Sequence, residues 1–288
     1  YGGVFKVTEG FVERFGKERV RNTPLCESAI VGAALGLSIA GRKAMMEMQF
    51  SDFVTCGFNQ IVNNLAKIHW RWGQPADVVI RMPTGGNVTA GPFHSQSTEA
   101  WFFHVPGLKI AYPSTPADAK GLLLAAFEDP NPVLFFEHKY LYRSLTGPVD
   151  EAAFRVGFGE ARIVQPGEGI SVITYGLGVQ WATEAAARHP EWDLEIIDLR
   201  TLAPWDEETV RASVRKTSKA LILHEDNLTG GIGAEISAHI HEHCWESLDA
   251  PVVRVGALDT PFPFARPLEE NFLPEKRLDE ALETLFGR

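Results

Sequence analysis

The chain has 288 residues, 45% hydrophobic and 22% charged, a globular composition on a length suited to about two domains, which excludes a disordered chain. Lys and Arg number 27 against 37 Asp and Glu, a net charge of −10, and a surface that acidic argues against binding nucleic acid. No apolar run reaches the roughly 18 residues of a membrane-spanning helix. In chain order, the first strong helical stretch covers 27–40 and is rich in small residues: Ala29, Gly32, Ala33, Ala34, Gly36 and Ser38. A strand-like segment ends in Met48-Gln49-Phe50-Ser51-Asp52-Phe53 and leads into a helix over 52–72. Strands follow at 78–82, 108–112 and 133–137. A helix over 116–127 is opened by Ser114-Thr115-Pro116, a capping hydroxyl before a proline at the first helical position. The turn-forming run Thr146-Gly147-Pro148-Val149-Asp150 breaks the rhythm, so the chain divides into 1–147 and 148–288. Beyond it come strands at 171–175, 194–199, 220–224 and 252–255, with helices over 179–188, 207–216 and 233–246. These strands are continuous apolar runs, the mark of parallel strands covered on both faces, and strand–helix alternation makes each half α/β.

Some residues in this frame could carry chemistry. Glu27 lies in the first turn of the small-residue helix. It can complement the helix dipole, or it can be a desolvated carboxylate that hydrogen-bonds a ligand nitrogen. Phe50 and Phe53 stand at a strand-to-helix junction, the ligand edge of an open α/β sheet, where they are either core or a stacking surface for an aromatic ligand. His94, in Gly91-Pro92-Phe93-His94-Ser95-Gln96-Ser97, precedes a helix expected to be capped by Ser95 or Ser97. A histidine in a polar, glycine-rich loop is suited to acid–base work.

Other patterns lead nowhere. Tyr175-Gly176-Leu177-Gly178 imitates a dinucleotide fingerprint, but Trp181 occupies the third glycine position. His239-Ile240-His241-Glu242-His243-Cys244 imitates a metal cluster, but on a helix only His239 and His243 share a face. Thr229-Gly230-Gly231-Ile232-Gly233 lacks the Lys-Ser/Thr ending of a phosphate loop. No Gly-x-Ser-x-Gly and no Cys-x-x-Cys occurs. The three cysteines, Cys26, Cys56 and Cys244, are widely spaced and fit a reducing compartment.

A set of short motifs falls in order along nearly the whole chain. They are Tyr1-Gly2-Gly3-Val4-Phe5, Thr23-Pro24-Leu25-x-Glu27, Gln49-Phe50-x-Asp52-Phe53, Phe93-His94-Ser95-Gln96-Ser97 and Pro106-Gly107-Leu108-Lys109. Then come Asp198-Leu199-Arg200-Thr201-Leu202-x-Pro204-Trp205-Asp206, His224-Glu225-x-x-Leu228-Thr229-Gly230-Gly231 and Asp259-Thr260-Pro261-Phe262-Pro263. Together they resemble the beta subunit of the thiamine-diphosphate-dependent first component of 2-oxo acid dehydrogenase complexes. The Pro204 and Asp259 variants lean toward the branched-chain (2-oxoisovalerate) type over the pyruvate type.

The resemblance implies a transketolase-like pyrimidine-binding domain followed by a transketolase C-terminal α/β domain. It implies that Glu27 hydrogen-bonds the ring nitrogen of the cofactor's aminopyrimidine, that Phe53, with Phe50 beside it, stacks on that ring, and that His94 assists acyl transfer to a lipoyl group. It also implies that Ala126, Asp129 and Asn131 offer carbonyls to a structural potassium ion. Family enzymes hold magnesium and the diphosphate through a Gly-Asp-Gly sequence, which this chain lacks. Magnesium is therefore expected on a separate alpha chain in an α2β2 heterotetramer, or on a fused alpha segment. A lipoyl-bearing second component is the expected acceptor. The location implied is cytoplasmic in a bacterium and the mitochondrial matrix in a eukaryote. Residue 1 is Tyr, and the family's opening helix and strand do not precede it, so part of the first domain is expected upstream. Rival readings are a transketolase or deoxyxylulose-phosphate synthase half, which would need basic phosphate-binding residues near His94, and a catalytically silent assembly subunit.

Overall fold

Two five-stranded sheets organise the chain, described over residues 2–288 by a computed structural model. Tyr1, the first residue of the amino-terminal motif, lies outside the described residues. The first half runs through α1 (Phe11–Phe15), α2 (Glu27–Ile39) and β1 (Ala44–Glu47). A 3₁₀ turn (Ser51–Phe53), α3 (Val54–Asn59), a π turn (Gln60–Leu65) and α4 (Ala66–Trp72) then follow one another without a break. Next come β2 (Val78–Thr84), α5 (Ala100–Phe103), β3 (Lys109–Ala111), α6 (Pro116–Glu128), β4 (Val133–His138) and α7 (Leu141–Ser144). The second half contains β5 (Arg162–Gln165), β6 (Ile170–Thr174), α8 (Gly178–Arg188), β7 (Leu194–Asp198), β8 (Thr201–Ala203), α9 (Glu207–Thr217) and β9 (Ala220–Asn227). It closes with α10 (Gly233–Cys244), β10 (Val253–Ala257), α11 (Arg266–Phe272) and α12 (Glu275–Phe286).

The strand orders are β1-β2-β4-β3-β8 and β10-β9-β6-β7-β5. Every residue of β2, β6 and β7 is buried, as a parallel strand covered on both faces requires. The expectation of parallel strands throughout fails at one edge of each sheet, where β8 pairs antiparallel with β3 and β5 antiparallel with β7. Edge strands need not be covered on both sides, and Ile163 of β5 is 48% exposed. β8 comes from the second half yet extends the first sheet, with Ile110 opposite Ala203. The backbone just before it joins in, since Tyr112 N–H donates to the Arg200 carbonyl at 2.8 Å.

Packing also crosses between the halves. One apolar core joins Val31, Ile61 and Ile80 of the first half to Ile173, Ile197 and Ile222 of the second. A second core lies under α8 and α12, and a small third one seats α6 on the first sheet through Leu122 and Ala126. Helix starts follow local chemistry. Thr115 Oγ1 accepts from Asp118 N–H at 3.1 Å with Pro116 in the first turn, and Asp206 Oδ1 accepts from Thr209 N–H at 3.0 Å.

One partly buried ion network, centred on buried Arg81, ties β1, β2, β4 and α7. Arg81, 3% exposed, donates to Glu137 at 3.0 and 2.6 Å and to Glu47 at 2.6 Å. Tyr142 Oη donates to Glu137 at 2.5 Å. The Tyr142 ring in turn packs on Phe5 (5.3 Å between centroids), and Phe5 packs on Phe50 (5.6 Å).

Candidate active site at the strand ends of the first sheet

Parallel strands β1, β2 and β4 all end on one edge of their sheet, so the segments after them converge there. Phe50 follows β1, the loop with His94 follows β2, and Lys139 follows β4. Convergence brings three predicted residues together. The His94 ring stands edge-on to Phe50 at 4.7 Å and to Phe53 at 5.6 Å, and Phe50 meets Phe53 at 6.1 Å. All three are half-buried.

Glu27 reaches the same region by a close helix crossing. Gly57 lies one turn beyond Phe53 on α3. A methyl group there would sit 3.3 Å from Val31 Cγ2 and 3.5 Å from the Glu27 carbonyl oxygen. The glycine lets α3 approach the first turn of α2, so the turn carrying Glu27 and the turn after Phe53 lie side by side. Glu27 is half-buried in this chain, not enclosed by it. The turn bearing the Glu27 carboxyl, next to half-buried rings, suits an aminopyrimidine, whose ring wants a flat apolar neighbour and whose nitrogens want hydrogen bonds.

The segment after His94 is anchored firmly. Asp52 Oδ1 accepts from both the Gln96 N–H (3.1 Å) and the Gln96 side chain (3.0 Å). The Gln96 carbonyl accepts from Ser51 Oγ (3.1 Å) and Thr84 Oγ1 (3.0 Å). The expected helix cap is overturned. The following helix, α5, starts at Ala100 without a side-chain cap. Among the described residues Ser95 Oγ is buried with no partner, and Ser97 Oγ turns to Glu225 at 3.4 Å. The helix begins too far along the chain for either serine to reach its first amides.

Ala126, Asp129 and Asn131 fall together at the end of α6. Asp129 Oδ1 accepts from the Asn131 N–H (2.9 Å) and side chain (2.8 Å), and Lys109 pairs with the Asp129 carboxylate. Four residues after Ala126 stands Pro130, which has no N–H to donate to the Ala126 carbonyl in the helical pattern.

Behind the site lies a buried acidic seam that the sequence did not suggest. Glu99 is fully buried and accepts from Tyr175 Oη at 2.9 Å. Burial first, and then the nearby Asp226 carboxylate, push its proton affinity up, and burial raises Asp226 likewise. Glu225 is equally buried, but His138 at 2.6 Å, the Gly86 N–H and Lys139 outweigh desolvation and hold it low. Burial pulls the Lys139 ammonium down to about 8, against the attraction of Asp52, Glu225 and Glu269. The only advance signal was position: His138-Lys139 sit at the end of a buried strand, where charge has no solvent to face.

The seam makes stability depend on pH. A carboxyl whose value is raised in the folded protein keeps a proton that the unfolded chain releases. That stabilisation is complete below about pH 4.5 and disappears as pH climbs through the raised value of about 8 for Glu99. Glu99→Gln, which stays neutral, should therefore gain on the parent between pH 5 and 8 by more than about 1.4 kcal/mol, the equivalent of one pKa unit. Urea midpoints at both pH values measure it, and parallel curves for the two proteins would refute it.

Comparison with known proteins agrees along the chain. Residues 1–144 match the transketolase pyrimidine binding domain and residues 159–277 the transketolase C-terminal domain. The mitochondrial 2-oxoisovalerate dehydrogenase subunit beta 2 of Arabidopsis thaliana is 46% identical over 281 residues, covering 96% of this chain and 78% of that one. The 2-oxoisovalerate dehydrogenase subunit beta of Bacillus subtilis is 46% identical over 284 residues, covering 96% and 86%. The pyruvate dehydrogenase E1 component subunit beta of Staphylococcus epidermidis is 41% identical over 290 residues, covering 99% and 89%. A solved structure described as a split gene transketolase, inactive beta4 tetramer, superposes with a TM-score of 0.77 at 21% identity, covering 98% and 88%, and so shares the fold. Among the described residues no helix is long and apolar enough to cross a membrane.

Proposed function

The chain belongs to the beta-subunit family of 2-oxo acid dehydrogenase first components, and from that membership we propose that it is the beta half of an enzyme that decarboxylates a branched-chain 2-oxo acid and passes the acyl group to a lipoyl group. The observation that carries the site is the meeting of Phe50, Phe53 and His94 beside the helix start that bears Glu27. Similarity to 2-oxoisovalerate relatives at 46%, against 41% for the pyruvate relatives, favours the branched substrate.

Thiamine diphosphate, when bound, supplies the nucleophilic carbon that adds to the keto group and lets carbon dioxide leave. The work left to this chain is to bind, orient and move protons. Glu27 holds a proton at the pyrimidine ring nitrogen, Phe53 sets the plane of that ring, and Phe50 backs both Phe53 and His94. His94 moves a proton at the acyl-transfer step. No residue here is assigned to the diphosphate or to magnesium, and with no Gly-Asp-Gly in the sequence that task falls to an alpha chain. We place its contact on α2, where space beyond Gly32 and Gly36 is open and Leu37 and Ile39 are about half exposed. The pairing is α2β2, with a lipoyl-bearing second component as acceptor. The carbonyls of Ala126, Asp129 and Asn131 are the groups that would hold a structural potassium ion.

Reconstitution with the alpha subunit tests the reading. kcat/KM should favour a branched 2-oxo acid over pyruvate by at least about tenfold, the value of one or two buried methyl contacts. A preference for pyruvate would move the enzyme to the pyruvate type, and no turnover of any 2-oxo acid would leave the silent-subunit reading.

A further inference from the structure

The loop between β2 and α5 carries His94, and its backbone is unusual. Gly85, Asn87, Thr89 and Gly91 all adopt positive φ, at 85°, 63°, 57° and 71°. For a β-branched residue such as Thr89 that conformation is strained and needs outside support. Support comes from two buried carboxylates of the second half. Glu269 of α11, 2% exposed, accepts from Val88 N–H at 3.2 Å and from Thr89 N–H at 3.1 and 3.3 Å. Glu225 of β9, 5% exposed, accepts from Gly86 N–H at 2.6 Å and Ser97 Oγ at 3.4 Å. The residues before α11 complete the seat. A methyl group on Gly86 would strike Phe262 at 2.3 Å, and one on Gly91 would strike Phe264 at 2.4 Å.

Burying a carboxylate is costly unless several donors satisfy it. Two such groups on one short loop fix where that loop stands. Asp52 fixes its far end through Gln96, so His94 hangs between two anchored points. We propose that Glu269 and Glu225 are positioning residues that hold the His94 loop in its strained shape and so set the histidine against Phe50 and Phe53 for acyl transfer. Neither touches the reacting atoms. The proposal rests on the assignment of His94 to acyl transfer made above. It adds that the second half of the chain controls a step performed from the first.

The test uses the chain assembled with its alpha subunit and compares Glu269→Gln, Glu269→Ala and His94→Ala. Amide exchange at Val88 and Thr89 reports the anchor directly. It should rise about tenfold in Glu269→Gln, the worth of one charge-assisted hydrogen bond, and further in Glu269→Ala. Acyl transfer to the lipoyl domain should fall by a similar factor while decarboxylation with an artificial electron acceptor stays within about twofold, the same split expected of His94→Ala. Should Glu269→Ala fail to fold, Glu269→Gln decides alone. Unchanged exchange overturns the proposal. So does faster exchange when the two activities fall equally in the Glu269 variants but split in His94→Ala. If His94→Ala itself lowers both activities equally, the assignment of His94 is what fails, and the exchange rates alone then decide whether the carboxylates hold the loop.

Discussion

Glu27→Gln lowers turnover of the reconstituted enzyme by about 10²–10⁴-fold, the range of a lost general acid–base group, while the subunits still assemble. The contrast follows from where the residue sits. α2 is fastened chiefly by Val31, Ala34 and Ser38, all buried, while the Glu27 side chain is only half-buried. Replacing the carboxylate with an amide costs at most the helix-dipole term, about 0.3–1 kcal/mol. An amide keeps the shape and can still meet a ring nitrogen, but it cannot hold and return the proton. Steady-state rates with a branched 2-oxo acid, together with size analysis of the assembly, measure both sides. Turnover within about threefold of the parent would remove Glu27 from the chemistry.

Arg81→Ala destabilises the chain by about 3–5 kcal/mol, the cost of stranding buried charge. The guanidinium is the cation between Glu47 and Glu137, and burial already pushes Glu47 up with Arg81 in place. Since domains are stable by only about 5–15 kcal/mol, this single change brings the protein near unfolding at ordinary temperature. Denaturant midpoints give the loss, and adding Glu47→Gln and Glu137→Gln to Arg81→Ala should recover part of it. A loss under about 1 kcal/mol would mean solvent reaches the carboxylates and the network is peripheral. The consequence extends to the site, because Tyr142, Phe5 and Phe50 form a chain of contacts from Glu137 to the His94 ring.

What could be read from residues alone divides along physical lines. β2, β4, β6, β7 and β9 announce themselves because a strand covered on both faces must be mostly apolar, even where it buries an Arg81 or a Glu195. β5 and β8 escape because edge strands carry no such demand, and three residues such as Thr201–Ala203 make no pattern. α12 carries the pattern of a packed helix, since Leu278, Leu282 and Leu285 keep helical spacing and are fully buried. The site shows the same division. Phe50 and Phe53 stand three apart in the sequence, but their meeting with His94 depends on β1 and β2 being parallel neighbours. Glu99, Asp226 and Glu269 give no warning, and Glu225 stands out only within the His224-Glu225 motif, with nothing to mark it as buried. An acidic residue is by default on the surface, and Gly86 and Glu225 find each other across 139 residues.

The strand that the second half lends to the first sheet reaches beyond topology. Separating the two halves would strip β3 of its outer neighbour and bare a rim of peptide N–H and C=O groups, an invitation to aggregate. The two halves thus share one sheet edge as well as one apolar core. Evolution could recombine them with other modules only by carrying that three-residue ribbon along or by inventing a substitute for it.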